Sequence, residues 1–326
     1  GPFVFEEWAA GSFLRVSRNP DYFVESQPLL DQITIQFIPG TAGQRAALER
    51  GDVDLQLQLT SSDFSFVNGL PDYTVQNSPN IAFWLFWINN EDPILSDLPV
   101  RQALAHGLDK LAITETIFEA TVEPLDAVLP PVHFAHNPNV TRYEFNQELA
   151  SQILEDAGWI LGNDGVRVKD GQRLEIEVIN IAGQAERLQV VQTAQSFWNE
   201  IGFDVSIREI EAATFVPTLS GGDFQLAYGF FGENPEPVFN LWLGTNWQRY
   251  DNPAAFAILD EVPSTIDREE RKELIQEFQA IVAEDIPVLP LAPRTVLNAV
   301  NDRLQGYSPS LSLSLWNVAT FSIATE

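Results

Sequence analysis

Residues 175–209 read EIEVINIAGQAERLQVVQTAQSFWNEIGFDVSIRE, and this stretch decides the fold class. Alternating apolar positions predict a strand over Glu175 to Asn180. Leu188, Val191, Gln195 and Trp198 then recur at helical spacing, which predicts a helix over Glu186 to Ile201 with that stripe facing inward. Gly202 ends the helix, because glycine takes the left-handed conformation that helix C-termini favour, and Asp204 to Glu209 returns as a strand. Strand, helix, glycine, strand is a βαβ crossover, so this part of the chain is expected to form an α/β lobe.

Downstream, residues 222–242 read GDFQLAYGFFGENPEPVFNLW. A short strand, Phe224 to Gly229, is expected to run into a turn where Gly232, Pro235 and Pro237 surround Glu233, Asn234 and Glu236. Glycine frees the backbone and proline stiffens it, so carboxylates here are held in place, as in strand-end loops that face a ligand. The competing reading is an ordinary acidic surface loop. Asp267 and Glu270 then make a capping box for a helix to Asp285, with Leu274, Phe278, Ile281 and Val282 on its buried face. Val288 to Leu291 and Thr295 to Val300 read as strands, and the proline-punctuated segment 286–293 is expected to return the chain to a first lobe.

Upstream, Phe3 to Trp8 and Phe13 to Ser17 read as a hairpin about Gly11, and Gln32 to Ile38 alternates as a strand. Thr41 is expected to cap a helix to about Arg50, with Val53 to Leu57 extended after Gly51. Ile81 to Ile88 is a crossover strand whose alternation sends Trp84 and Phe86 to one face and Trp87 to the other, one face core and the other a candidate cleft wall. Asn89 and Asn90 end it, with amides able to bond a ligand or close a turn. Helices are expected over Pro99 to Leu108, Lys110 to Phe118 and Asn146 to Ala157, the last stopped by Gly158.

Composition bounds the function. The 326 residues suit two lobes, each with its own core. With 18 basic against 46 acidic residues the net charge is −28, which argues against nucleic-acid or anionic-lipid partners and favours cationic ligands. Cysteine is absent, so disulfides, thiolate metal sites and cysteine nucleophiles are excluded. No run approaches the roughly 20 apolar residues of a membrane span, and GPFVFEEW is not a signal peptide, so an export signal is expected to be removed or to lie outside this chain. Methionine is also absent, as in a processed chain or an excised fragment.

Six motifs in order resemble the family-5 solute-binding proteins of ABC importers for peptides and nickel. They are GPFVFEEW with LRVSRNPDYF and RGDVDL, LPVRQALAHGLDK at 98–110, ILEDAGW at 153–159, DGVRVKDGQRLEIEV at 164–178, GDFQLAYGFFGENPEP at 222–237, and RYDNPAAFAILDE at 249–261. The resemblance implies a two-lobed α/β fold of the type II periplasmic-binding-protein kind, with mixed sheets flanked by helices and a ligand enclosed between the lobes. It also implies a C-terminal fragment, with an incomplete lobe I over 1–89 and 289–326 and a nearly whole lobe III over 90–288. The expected function is uptake of short peptides by a monomer that works with ABC permease subunits. The expected location is periplasmic or extracellular, with a lipid anchor placed in the missing N-terminus. By the same resemblance Glu233 is the anchor for the peptide's α-amino group, with Glu236 as fallback, and Phe230 and Phe231 stand where the family places a tryptophan, as an apolar wall. Nickel chelates, opines and oligosaccharides are alternative ligands within the family.

Other signals carry less. Arg101 is expected to pair with Asp97 or Asp109. His133 and His136 make an H-x-x-H pair that reads as loop surface rather than a metal site, since no third ligand is defined. Paired carboxylates beside aromatics also suit a carbohydrate-active enzyme, but no G-x-S-x-G, H-E-x-x-H or P-loop occurs. No catalytic residue, metal ligand or cofactor is assigned.

Overall fold

A computed structural model describes residues 1–78, 80–232, 245–310 and 315–324. The chain divides into two compact units, Gly1–Pro79 with Thr295–Glu326, and Asn80–Arg294. The division gives residues 80–89 and 289–294 to the second unit, whereas the sequence reading assigned them to lobe I.

In the first unit β1 (Phe3–Ala9), β2 (Phe13–Arg18) and β3 (Gln32–Gln36) form an antiparallel sheet in that order. The helix α1 (Thr41–Glu49) follows, with Gly40 at its cap position and no side-chain cap, so Thr41 is its first helical residue rather than its cap. β4 (Leu55–Leu59), the short helix α2 (Phe64–Asn68) and β5 (Tyr73–Ser78) complete this part.

The second unit is built on one mixed sheet. Its strands are β6 (Ala82–Ile88), β10 (Glu175–Ile181), β11 (Asp204–Ile210), β12 (Leu226–Gly232) and β13 (Val288–Pro293), in the order β11-β10-β12-β6-β13. β10 runs parallel to β11 and β12, and β6 is antiparallel to both β12 and β13. Between β6 and β10 lie α3 (Leu98–His106), α4 (Lys110–Thr116), α5 (Gln147–Asp156) and a small antiparallel sheet of β7 (Ile160–Leu161), β8 (Arg167–Lys169) and β9 (Gln172–Arg173). The crossover helix α6 (Ala185–Glu200) joins β10 to β11, and α7 (Ala212–Gly221) leads to β12. After β12 come α8 (Pro253–Glu261) and α9 (Arg268–Asp285). In the first unit, β14 (Val296–Asn301) then inserts between β4 and β5.

A core lies on each face of the second unit's sheet. Phe86 and Ile88 of β6 pack with α3, α6 and Trp198 on one face, while Phe83, Leu85 and Trp87 pack with α7, α8 and α9 on the other. The expectation that one face of β6 is open therefore fails for most of the strand. A central strand flanked on both sides is buried on both faces, which is why it reads as a near-continuous apolar run. The capping box is present: Asp267 accepts from the N–H groups of Glu269 (2.9 Å) and Glu270 (3.0 Å).

Arg101 shows a different correction. Its guanidinium donates to backbone carbonyls, those of Leu95 (2.8 Å), Ser96 (2.9 Å) and Asp285 (2.8 and 3.0 Å), rather than to Asp97 or Asp109. Asp97 instead pairs with Lys169, and Asp109 caps α4. Arg101 thus ties α3 to the end of α9, which is a structural role.

Candidate functional site

The sheet end where β12 meets β6 collects the aromatic residues. β12 extends three residues beyond the expected strand, because Phe230, Phe231 and Gly232 pair with Trp84, Phe83 and Ala82. Phe230 and Phe231 therefore lie within the strand and, by alternation, on opposite faces. They do not form one wall. Phe231 packs edge-on to Trp87 and Trp247 in the core of the α8–α9 face.

Phe230 is different: it is 44% exposed and stands edge-on to Trp84, with ring centres 5.4 Å apart. Trp84 is half-buried and stacks on Tyr228 (5.6 Å, 19°) and Phe118 (6.2 Å, 26°). The result is an aromatic ledge, anchored in the core at Tyr228 and reaching solvent at Phe230.

Two guanidinium groups attend the ledge. Arg294 follows β13; its N–H donates to the Ala82 carbonyl (2.8 Å), and its Cζ lies 4.3 Å from the Phe230 ring centre. Ala82 carries only a methyl group on this face, which leaves the arginine room to cross β6 and lie on Phe230. Burial lowers the Arg294 pKa.

Arg187, in the first turn of α6, is 4% exposed and sits against the rings of Trp84 (5.9 Å), Tyr228 (5.6 Å) and Phe215 (5.6 Å). Its Nη2 donates to the Tyr228 carbonyl, and its Nε meets no partner. Pairing of β10 with β12 covers only Val178–Leu226 and Ile179–Ala227, so the Tyr228 carbonyl lies just past its end, where α6 supplies the donor. Burial lowers the Arg187 pKa, opposed only weakly by Tyr228. Gly229 makes the arrangement possible: a Cβ there would meet Trp87 Cζ3 at 2.8 Å and Arg187 Nη2 at 3.3 Å. Buried Asn180 and Tyr228 also carry side-chain polar atoms without partners among the described residues.

The other expected site residues fall elsewhere. Asn89 is at the far end of β6, roughly 16 Å along the strand from Trp84 at the usual rise per residue. It is buried, donating to the carbonyls of Gly222 (3.3 Å) and Phe224 (2.9 Å) and accepting from the Glu91 N–H (3.2 Å), so it clamps the strand end. Glu233, Asn234 and Glu236 lie outside the described residues. His133 is buried rather than on the loop surface, and His136 Nδ1 bonds the Leu129 carbonyl (2.7 Å). Among the described residues no three His, Asp or Glu side chains are grouped to hold a metal, and no helix is long and apolar enough to cross a membrane.

Sequence reasoning missed Arg187 and Arg294. Arg187 was legible in principle: Arg187, Val190, Val191, Ala194 and Trp198 form the buried stripe of α6, one position off the stripe read from Leu188. Arg294 had no local signal, since its partner Phe230 belongs to another strand.

Comparison with known proteins extends the picture. Residues 1–252 match the family described as "Bacterial extracellular solute-binding proteins, family 5 Middle". The oligopeptide-binding protein AppA of Bacillus subtilis is 24% identical over 336 aligned positions, which cover 99% of this chain and 62% of that protein. Heme-binding protein A of Haemophilus influenzae is 25% identical, over 95% of this chain and 57% of its own length. The solved structure of AppA in complex with a nonapeptide superposes with a TM-score of 0.81 at 23% identity, over 100% of this chain and 66% of that one. The chain thus spans about 60% of the length of these curated relatives. The structural likeness establishes the type II periplasmic-binding-protein fold expected from the motifs.

Proposed function

Because this chain belongs to the family-5 bacterial extracellular solute-binding proteins, we propose that it is the recognition part of an ABC importer and that it binds short peptides. The observation that carries this reading is the half-exposed ledge of Trp84 and Phe230 at the end of β12. One residue beyond that strand the sequence places Glu233, at the position the family motif gives to the amine anchor. An aromatic surface beside a carboxylate suits a peptide: the rings cover backbone and side chains, and the carboxylate takes the terminal ammonium.

Closure of two lobes over the ligand belongs to the same proposal, since a ligand drives closure only through bonds absent from the open state. So do the permease partner, an extracytoplasmic location with a lipid anchor, a monomeric state, and binding without turnover.

Calorimetric titration with di- to pentapeptides tests the reading. Trialanine is expected to bind and N-acetyl-trialanine to bind about tenfold to hundredfold more weakly, a loss that Glu233→Ala reproduces, as a charge-assisted bond of about 1.5–3 kcal/mol requires. Trialanine binding unchanged by Glu233→Ala overturns the anchor. Failure of every peptide, or preference for a nickel chelate, overturns the substrate class.

A further inference from the structure

The ledge carries two cations in an acidic chain, and the described residues place no carboxylate against either. Elsewhere cations are matched: Arg15 with Glu7, Arg45 with Asp63, Arg208 with Glu177, Arg303 with Asp54. Arg294 has no side-chain hydrogen bond or ion pair among the described residues, only the Phe230 ring at 4.3 Å. Arg187 has one carbonyl and three rings. With 46 acidic against 18 basic residues, two guanidiniums left without acids on one ledge are a departure that needs a cause.

We propose that this ledge is a carboxylate-binding subsite, in which Arg294 touches the ligand and Arg187 is a positioning residue that holds the rings and adds its charge. This rests on the preceding reading to the extent that a ligand lies against the ledge. A guanidinium lying over an aromatic ring keeps its N–H donors in its own plane, around the ring's rim, where a carboxylate can accept two of them side by side. Arg294 is aimed by the backbone: Pro293 restricts the chain before it, and its N–H is fixed to Ala82. A cation partly withdrawn from water with no counterion is costly in the free protein, and a carboxylate ligand removes that cost on binding. Arg187 is too buried to be the contact itself; beneath Trp84 it makes the ledge electropositive despite the net charge of −28. The carboxylate comes either from the ligand's C-terminus or from an acidic side chain.

Three peptides separate these sources: trialanine, trialanine amide, and Ala-Glu-Ala amide, titrated calorimetrically into the wild type, Arg294→Gln and Arg294→Lys. Amidation of trialanine is expected to weaken wild-type binding about tenfold to hundredfold. Arg294→Gln is expected to weaken trialanine equally and leave its amide unchanged, with Arg294→Lys between, since lysine keeps the charge without the planar fork. If Ala-Glu-Ala amide recovers the lost affinity in an Arg294-dependent way, the side chain is the source; if not, the C-terminus is. For Arg187→Met the readout is a reduced acid-over-amide preference without a lowered melting temperature.

Equal wild-type affinities for all three peptides overturn the subsite, as does an equal loss for acid and amide in Arg294→Gln. Should no peptide bind, the peptide reading fails and 3-phenylpropionate, a carboxylate with no amine or peptide bond, decides the subsite: Arg294-dependent binding sustains it, and none overturns it.

Discussion

Replacing Arg187 by methionine is expected to stabilise the fold. The guanidinium is 4% exposed, with one hydrogen bond, to the Tyr228 carbonyl, and Nε without a partner. Its favourable contacts are that charged bond, about 1.5–3 kcal/mol, and three ring contacts at 5.6–5.9 Å, each about 0.5–1 kcal/mol at such separations. Against them stands the effective cost of burying an ion, several kcal/mol, with no carboxylate to offset it. Methionine keeps the length of the side chain and gains sulfur–aromatic contact of about 0.3–1.5 kcal/mol. The net expectation is a gain of about 1–3 kcal/mol, or a rise in melting temperature of roughly 2–10 °C for a chain of this size. The downward shift of the Arg187 pKa has the matching sign: folding disfavours the cation. Arginine stays protonated in both states near neutrality, so the gain is expected to be constant between roughly pH 5 and 9. Urea denaturation followed by far-UV circular dichroism, wild type against variant at matched slope, measures it. A loss of more than about 1 kcal/mol would refute the reasoning, because the arginine would then be a net structural support.

Asn89→Ala is expected to cost about 2–3 kcal/mol in urea denaturation, since the Gly222 and Phe224 carbonyls and the Glu91 N–H each lose a partner; peptide affinity by calorimetry should stay within about twofold, and a tenfold change would return Asn89 to the ligand site. The fold is also expected to weaken in alkali. Burial raises the Tyr143, Tyr228, Tyr250 and Tyr307 hydroxyls above their ordinary 10.0, so the unfolded chain releases those protons first, and the stability present below that pH falls as pH rises through it. Lys110, lowered by burial, acts with the opposite sign between its folded value and 10.5, but it is one group against four. Urea midpoints that stay flat from about pH 9 to 11 would contradict this balance.

The sequence by itself determined the elements whose causes are local. The βαβ unit over 175–210 was legible because alternation, helical spacing and the stop at Gly202 are all written within neighbouring residues. The same holds for the Asp267 cap, where a side chain meets N–H groups two and three positions on. The ordered motifs gave the family from sequence alone, as the match over residues 1–252 bears out. Only the tertiary structure decided the ledge. Strand pairing with β6 carried β12 through Phe230 and Phe231 and split them between two faces, a result of hydrogen bonds to a distant segment that no local pattern records. Arg294 reaches Phe230 because β12 and β13 flank the same strand and Ala82 leaves the space between them open. Arg187 is buried because the register of α6 turns it toward the sheet by one position more than its apolar stripe suggested. Periodicity says which residues share a face, while pairing and packing alone decide what that face meets.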